Sequence, residues 1–409
     1  VKNSYSSGQP SRRPSRPGVR SFSPGRQSNR PSRGRGTYIN PDKFINKAVA
    51  AHDEAPYEPV HTFTDFGFSP ELQHNIDRKG YKLPSSIQDG AIPLILEGRD
   101  VIGLANTGTG KTAAFGLPII ERLSGVNGAL SVLIMAPTRE LAAQIDEQFR
   151  EFSHGMRLYS TLVVGGVNIE RQIRDLQRRP HIVIGTPGRL KDLMERGALN
   201  LKNVNTLVLD EADRMLDMGF LPDIKRIISM TPKERQTLFF SATITPQIQT
   251  LTQEFLRDPA IVSVRTSETS DHVEQDVVEA SDKEHKLELL TNMLQTEDFN
   301  KVLIFGETKY GVQRLADTLS KAGMPAEAIH GNKSQPQRQR ALKAFKDERV
   351  KILVATDVAA RGLDIPNVSH VINYDQPATY EDYVHRIGRT GRGGERGTAL
   401  TFIAPRRRG

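Results

Sequence analysis

Asp100-Val101-Ile102-Gly103-Leu104-Ala105-Asn106-Thr107-Gly108-Thr109-Gly110-Lys111-Thr112 decides how this chain reads. Its first half is an apolar run of strand length. Its second half is a glycine loop that opens directly onto a helical pattern, Ala113-Ala114-Phe115 and onward. A loop in that position is a phosphate cradle, here with Ala105 where the usual pattern begins with Gly. Gly108 and Gly110 let backbone N–H groups curl around phosphate oxygens, Thr107 and Thr109 complete the loop, and the helix start adds positive potential. Lys111 would reach the β/γ-phosphates and the Thr112 hydroxyl would ligate Mg2+. A plain glycine turn before a helix is the alternative for the same residues.

Outward from this loop, short apolar runs alternate with amphipathic stretches. Strands are expected at Val132–Ala136, Thr161–Val164, His181–Gly185, Thr206–Leu209 and Leu238–Phe240, with helical stretches such as Glu140–Phe149 between them. Such alternation argues a parallel sheet covered on both faces. A polar stretch interrupts it at 265–272, and it restarts with Lys301–Phe305, Ala326–Ile329, Lys351–Ala355, His370–Tyr374 and Thr398–Ile403. The expected fold is α/β: two parallel-sheet domains, 60–264 and 273–405, joined by a short hinge at 265–272. Residues 1–59 are expected to be a basic tail and linker, and 406–409 a basic end. Ligands of open parallel sheets sit at the carboxyl ends of the strands. There Leu207-Val208-Leu209 runs into Asp210-Glu211-Ala212-Asp213. Asp210 is placed to be a second Mg2+ contact and Glu211 to orient and deprotonate water. A solvated turn or an acidic helix start is the alternative.

Asp-Glu-Ala-Asp resembles the signature of the DEAD-box family. From about residue 61 to 405 the chain is similar to the bacterial-type DEAD-box ATP-dependent RNA helicases of superfamily 2. The resemblance implies two tandem RecA-like domains, ATP and Mg2+ as cofactors, and RNA as a sequence-independent partner, single-stranded or short duplex. Phe63 and Gly80–Gln88 resemble the Q motif, which implies that Gln88 reads the adenine edge and Tyr81 stacks on the ring, braced by Phe63. Pro137-Thr138-Arg139, Gly165-Gly166 and Thr186-Pro187-Gly188-Arg189 are implied to grip the RNA backbone, with Arg338 and Thr356 on the RNA side of the second domain. Ser241-Ala242-Thr243 is similar to the motif that couples ATP state to unwinding, a role carried by Ser241 and Thr243. Asp364 is implied to touch the ribose, and Arg361 and His385 to belong to the coupling machinery. The string His385–Arg392 presents Arg389 and Arg392 to the γ-phosphate. The implied catalytic set is therefore Lys111, Asp210, Glu211, Arg389 and Arg392. Asn106, Thr109 and Ser85-Ser86 depart from the pattern at places without direct chemistry.

Composition narrows the rest. The chain has no cysteine, which excludes disulfides and thiolate chemistry and suits a cytoplasmic location. No run approaches the ~20 apolar residues of a membrane span. Between Val1 and Pro41 stand nine cations and no acid, so with Arg406–Arg408 the two ends more than account for the net charge of +8. The body between them is net acidic. The Ser/Arg/Pro/Gly tail reads as disordered, either a polyanion-binding segment or a solubilising linker. Tyr38–Ala48 reads as unstructured linker, with one docking turn of helix as its alternative. Two rivals stay open: a DNA-directed motor on the same plan, and an RNA clamp that hydrolyses ATP poorly.

Overall fold

The computed structural model describes residues 39–46, 57–106, 108–125, 130–264, 273–296, 298–360, 365, 368–391 and 397–405. Strands β1 (Val101–Leu104), β2 (Val132–Met135), β3 (Ser160–Val163), β4 (Ile182–Gly185), β5 (Thr206–Leu209), β6 (Gln236–Ser241) and β7 (Ala260–Ser263) form one parallel sheet, in the order β3-β4-β2-β5-β6-β1-β7. Strands β8 (Val273–Glu279), β9 (Val302–Phe305), β10 (Ala326–Ile329), β11 (Ile352–Ala355), β12 (His370–Asn373) and β13 (Gly397–Ile403) form a second, in the order β10-β11-β9-β12-β13-β8. Helices α1 (Pro70–Arg78), α2 (Ser86–Leu96), α3 (Lys111–Leu123), α4 (Arg139–Phe152), α5 (Ile169–Gln177), α6 (Pro187–Glu195), α7 (Ala212–Asp217), α8 (Leu221–Ile228) and α9 (Pro246–Phe255) accompany the first sheet. Helices α10 (Lys283–Leu294), α11 (Lys309–Lys321), α12 (Gln335–Lys346), α13 (Asp357–Ala360) and α14 (Tyr380–Ile387) accompany the second. The two-domain parallel α/β architecture is the one expected.

Every residue of β2, β4, β5, β9 and β11 is buried, because helices cover both faces of each sheet. Helix α4 shows how the sequence makes such a cover. Leu141, Ala142, Ile145, Phe149 and Phe152 recur at helical spacing and are all buried, while Thr138 caps its start by accepting the Leu141 N–H at 3.2 Å. At the centre of β1, a Cβ on Gly103 would stand 2.4 Å from the Phe240 ring, so only glycine lets that ring lie across the strand.

Two elements escaped the sequence reading. β7 and β8 flank residues 265–272, and both are edge strands. β7 buries none of its residues fully, and β8 carries Glu274, Asp276 and Glu279. Charge and alternating exposure suit an edge and hide the strand. The expected hinge and the tail up to residue 38 lie outside the described residues.

The expectation of unstructured chain through residue 59 is corrected at 39–46 and again from 57. Pro41–Phe44 forms a 3₁₀ turn, and Phe44 is wholly buried among Val273, Tyr383, Ile387, Ala399 and Ile403 of the second domain. Asn46 forms an antiparallel bridge with Gln275. The apolar partners lie far along the chain, beyond the reach of any local pattern.

Candidate active site

Strand order does what spacing cannot. β5, β6 and β1 lie side by side, so the segments leaving their carboxyl ends, Asp210–Asp213, Ser241–Thr243, and Ala105-Asn106 with Gly108–Thr112, meet on one half of the rim. β3, β4 and β2 make the other half and collect Gly165-Gly166, Thr186–Arg189 and Pro137–Arg139.

On the first half, the loop before α3 turns through Gly108 (φ 89°) and Gly110 (φ 93°), conformations open to glycine. Lys111 is buried, and its Nζ donates to the Ala105 carbonyl at 2.9 Å. Thr109 Oγ1 donates to the Asn106 carbonyl at 2.8 Å, and Thr112 is half-buried in the first turn of α3. Gln88 lies against this loop. Its Nε2 donates to the Gly110 carbonyl at 3.1 Å and its Oε1 accepts the Ser85 N–H at 3.0 Å. A Cβ on Gly110 would stand 2.4 Å from Gln88 Nε2, so the pair is built for a glycine. An amide offers two donors and two acceptor sites, which leaves one of each beyond these bonds for a base edge. Phe63 is buried with its ring centroid 6.0 Å from that of Tyr81.

The residue after Gln88 was not singled out in the sequence, yet it anchors the approach to Phe63. Asp89 accepts hydrogen bonds from the Tyr57 hydroxyl at 2.5 Å, the Val60 N–H at 2.7 Å and the His61 N–H at 3.2 Å, and contacts His61 Nδ1 at 2.6 Å. Burial alone would raise its carboxyl, but the bonds from Tyr57, His61 and Val60 outweigh burial and hold it below the ordinary carboxylate range. A depressed folded value stabilises the protein above the unfolded pKa of about 3.9 and loses that contribution as pH falls through the folded value. Asp89→Asn should therefore cost about 1–3 kcal/mol near neutrality. In thermal melts across pH, the gap to wild type should stay level down to about pH 5 and narrow below about pH 4.

Glu211 holds a left-handed backbone, φ 49° and ψ 53°, rare for a residue with a side chain. Its Oε2 accepts from Arg214 Nη1 at 2.5 Å, and both side chains are buried. Burial pushes the Asp210 carboxyl up to about 6, while the Lys111 ammonium pulls it down and Glu211 pushes it back up. Asp213, which the sequence reading left without a role, joins two motifs. Its Oδ2 accepts from the Ala242 N–H at 2.9 Å, the Thr243 N–H at 3.0 Å and the Thr243 hydroxyl at 3.2 Å. Ser241 Oγ closes the same turn on the Thr243 carbonyl at 2.8 Å, and its own carbonyl accepts the Ala105 N–H at 3.1 Å. Phosphate loop, acids and Ser-Ala-Thr turn are thus one bonded unit.

On the other half, the Arg139 guanidinium lies on the glycine pair. A Cβ at Gly166 would fall 2.0 Å from Arg139 Nη1, and one at Gly165 would fall 3.0 Å from Nη2. Thr186 starts α6 and accepts the Arg189 and Leu190 N–H groups through its carbonyl at 3.1 Å each; Pro187 is buried and Gly188 exposed. Arg189 Nη1 donates to the Val167 carbonyl at 3.0 Å. Arg338, expected on the RNA side of the second domain, pairs with Glu140 of the first domain at 2.8 Å, with both side chains buried. The Glu140 carboxylate follows the Pro-Thr-Arg motif directly, and nothing local marked it as a cross-domain partner.

In the second domain, Thr356 follows β11 and its N–H donates to the Ile329 carbonyl at 3.2 Å. Every nitrogen of the Arg386 guanidinium is engaged: Nε and Nη2 grip Asp357 at 2.6 and 2.7 Å, and Nη1 donates to Asn373 at 3.1 Å and to the Asp375 carbonyl at 2.7 Å. His385 and Arg389 line a narrow cleft with Arg214 of the first domain. Thr107, Arg361, Asp364 and Arg392 lie outside the described residues. No helix among the described residues is long and apolar enough to cross a membrane.

The DEAD/DEAH box helicase pattern matches residues 85–251, and the helicase conserved C-terminal domain matches residues 285–394. The DEAD-box ATP-dependent RNA helicase CshA of Geobacillus kaustophilus (strain HTA426) is 48% identical over 346 residues, covering 84% of this chain and 74% of that protein. Among solved structures, S. cerevisiae Dbp5 bound to RNA and ADP BeF3 aligns with a TM-score of 0.75 at 32% identity, over 84% of this chain and 90% of that one. Mss116p bound to ssRNA and AMP-PNP also gives 0.75 at 32% identity, over 84% and 74%. The chain belongs to the DEAD-box ATP-dependent RNA helicases. It is an ATP hydrolase.

Proposed function

We propose that this chain binds ATP and RNA cooperatively across its two domains, separates short RNA duplexes as the domains close, and hydrolyses ATP to release the RNA in the cytoplasm. The observation that carries this reading is the shared rim of the first sheet, where phosphate-binding and backbone-gripping residues leave adjacent strands. A ligand on either half favours the same closed pair of domains, and reciprocity then makes each raise the affinity of the other. Lys111 and the loop N–H groups hold the phosphates, Gln88 and Tyr81 the base, and Glu211 orients the attacking water. Arg389, and with it Arg392, meets the γ-phosphate from the second domain.

Mg2+, when bound, would supply positive charge against the charge that develops on the phosphates. The buried Asp210 carboxyl, whose charge burial disfavours, and the Thr112 hydroxyl at the start of α3 would hold the cation. The tail, with its nine cations, adds salt-sensitive, sequence-blind RNA contacts.

ATP turnover measured with RNA, with single-stranded DNA of equal length and with neither tests the substrate class. RNA alone should stimulate, and equal stimulation by DNA returns the reading to a DNA motor. GTP should turn over with a kcat/KM about 10²-fold lower, since a site that hydrogen-bonds the adenine edge leaves polar groups unpaired against guanine. Equal turnover of the two removes the base-reading role of Gln88.

A further inference from the structure

Residues 39–46 end against the helix that leads to Arg389. Phe44 sits with its ring centroid 4.7 Å from that of Tyr383, and Ile387 closes the same cluster. Lys43 Nζ stands 5.3 Å from the centroid of Tyr380. Tyr380, Tyr383 and Ile387 fall at spacings of three and four, so the segment lies along one face of α14, burying Tyr383 and Ile387 while Tyr380 stays exposed. The bridge fixes the segment in register: Asn46 N–H donates to the Gln275 carbonyl at 3.0 Å, and Gln275 N–H donates back at 2.8 Å. Gln275 Oε1 then accepts the Tyr383 hydroxyl at 2.9 Å, returning to α14. Beside this face, Arg386 ties the helix to Asp357 and Asn373. One turn further, the Arg389 N–H donates to the Arg386 carbonyl at 3.1 Å, so the position of Arg389 follows that of α14.

We propose that Phe44 is a positioning residue for the arginine of the second domain: docking of residues 39–46 sets α14 at the depth from which Arg389 enters the interdomain cleft. The proposal rests on the reading of Arg389 as a γ-phosphate contact. Phe44 touches no substrate, and the lever is apolar contact on the back of the helix. A small recession of α14 withdraws the guanidinium, and misplacement of about 1 Å costs up to ~10²-fold in rate.

The test uses the full chain. Phe44→Ala should lower kcat at saturating RNA and ATP by about ten- to a hundredfold, with the KM for ATP nearly unchanged because the nucleotide contacts of the first domain are untouched. Phe44→Leu, which refills the pocket, should restore most of the rate. In an Arg389→Ala background, Phe44→Ala should add no further loss, because both act through one group. Wild-type kcat in Phe44→Ala, with turnover lost in Arg389→Ala, overturns the inference and leaves the reading of the site intact. So does a loss in Phe44→Ala that repeats in full on the Arg389→Ala background, since Phe44 would then act through general stability. Wild-type turnover in Arg389→Ala removes the site reading and this inference together.

Discussion

Glu211→Gln should lower ATP turnover by about 10²-fold or more while ATP and RNA still bind, the loss expected when a general base is removed and its shape is kept. The geometry explains why the change is local. The left-handed backbone at Glu211 belongs to the β5–α7 turn, and Arg214 holds its side chain at 2.5 Å. A glutamine amide keeps an oxygen for Arg214 and the same reach toward the site, but it takes no proton from water. Single-turnover hydrolysis at saturating RNA, beside equilibrium binding of a fluorescent ATP analogue, separates the chemical step from binding. Hydrolysis at the wild-type rate would falsify the water-activating role and shift it to another group on the rim.

Arg389→Ala should lower turnover about 10³-fold or more, the range for an arginine that stabilises phosphoryl-transfer charge from an opposing element. Binding of ATP at the phosphate loop should survive, since Lys111, Gln88 and Thr112 belong to the first domain. Arg389→Lys should recover little, because an ammonium lacks the planar fork that meets two phosphate oxygens at once. Arg386, one turn earlier, supplies the contrast. Its guanidinium is consumed by Asp357, Asn373 and the Asp375 carbonyl, so its loss should appear as a fall in melting temperature. Arg389→Ala with near-normal hydrolysis in the same assay ends the assignment.

Much of this was legible before any coordinates. The phosphate loop is a local object: strand, glycine turn and helix start follow one another in the chain, and the positive φ angles at Gly108 and Gly110 are ones their residue type permits. The central strands were legible because burial on both faces demands unbroken apolar runs. Edge strands β7 and β8 were not, because one side of an edge meets water and tolerates polar residues. The docked Phe44 was missed for another reason. One aromatic in a polar stretch carries no periodicity, and its pocket is assembled from β8, α14 and β13.

Which residue types the chemistry requires, and in what local frame, the sequence determined by itself: Lys111 at a helix start, Asp210 and Glu211 at a strand end, arginines in one string after α14. Which of them meet was decided only by tertiary structure. Strand order set β5, β6 and β1 together, so that Asp213 could bond the Ser-Ala-Thr turn. Packing of one domain on the other made Arg338, read from the sequence only as an RNA-side residue, the partner of Glu140. Packing within the second domain committed the Arg386 guanidinium to Asp357, Asn373 and the Asp375 carbonyl, and set Arg386 and Arg389 together along the cleft. Residue type and spacing act over one turn of helix or one strand, and they specify what a group can do. Strand neighbours and domain faces are chosen by burial summed over the whole fold, and that sum specifies what each group does it to.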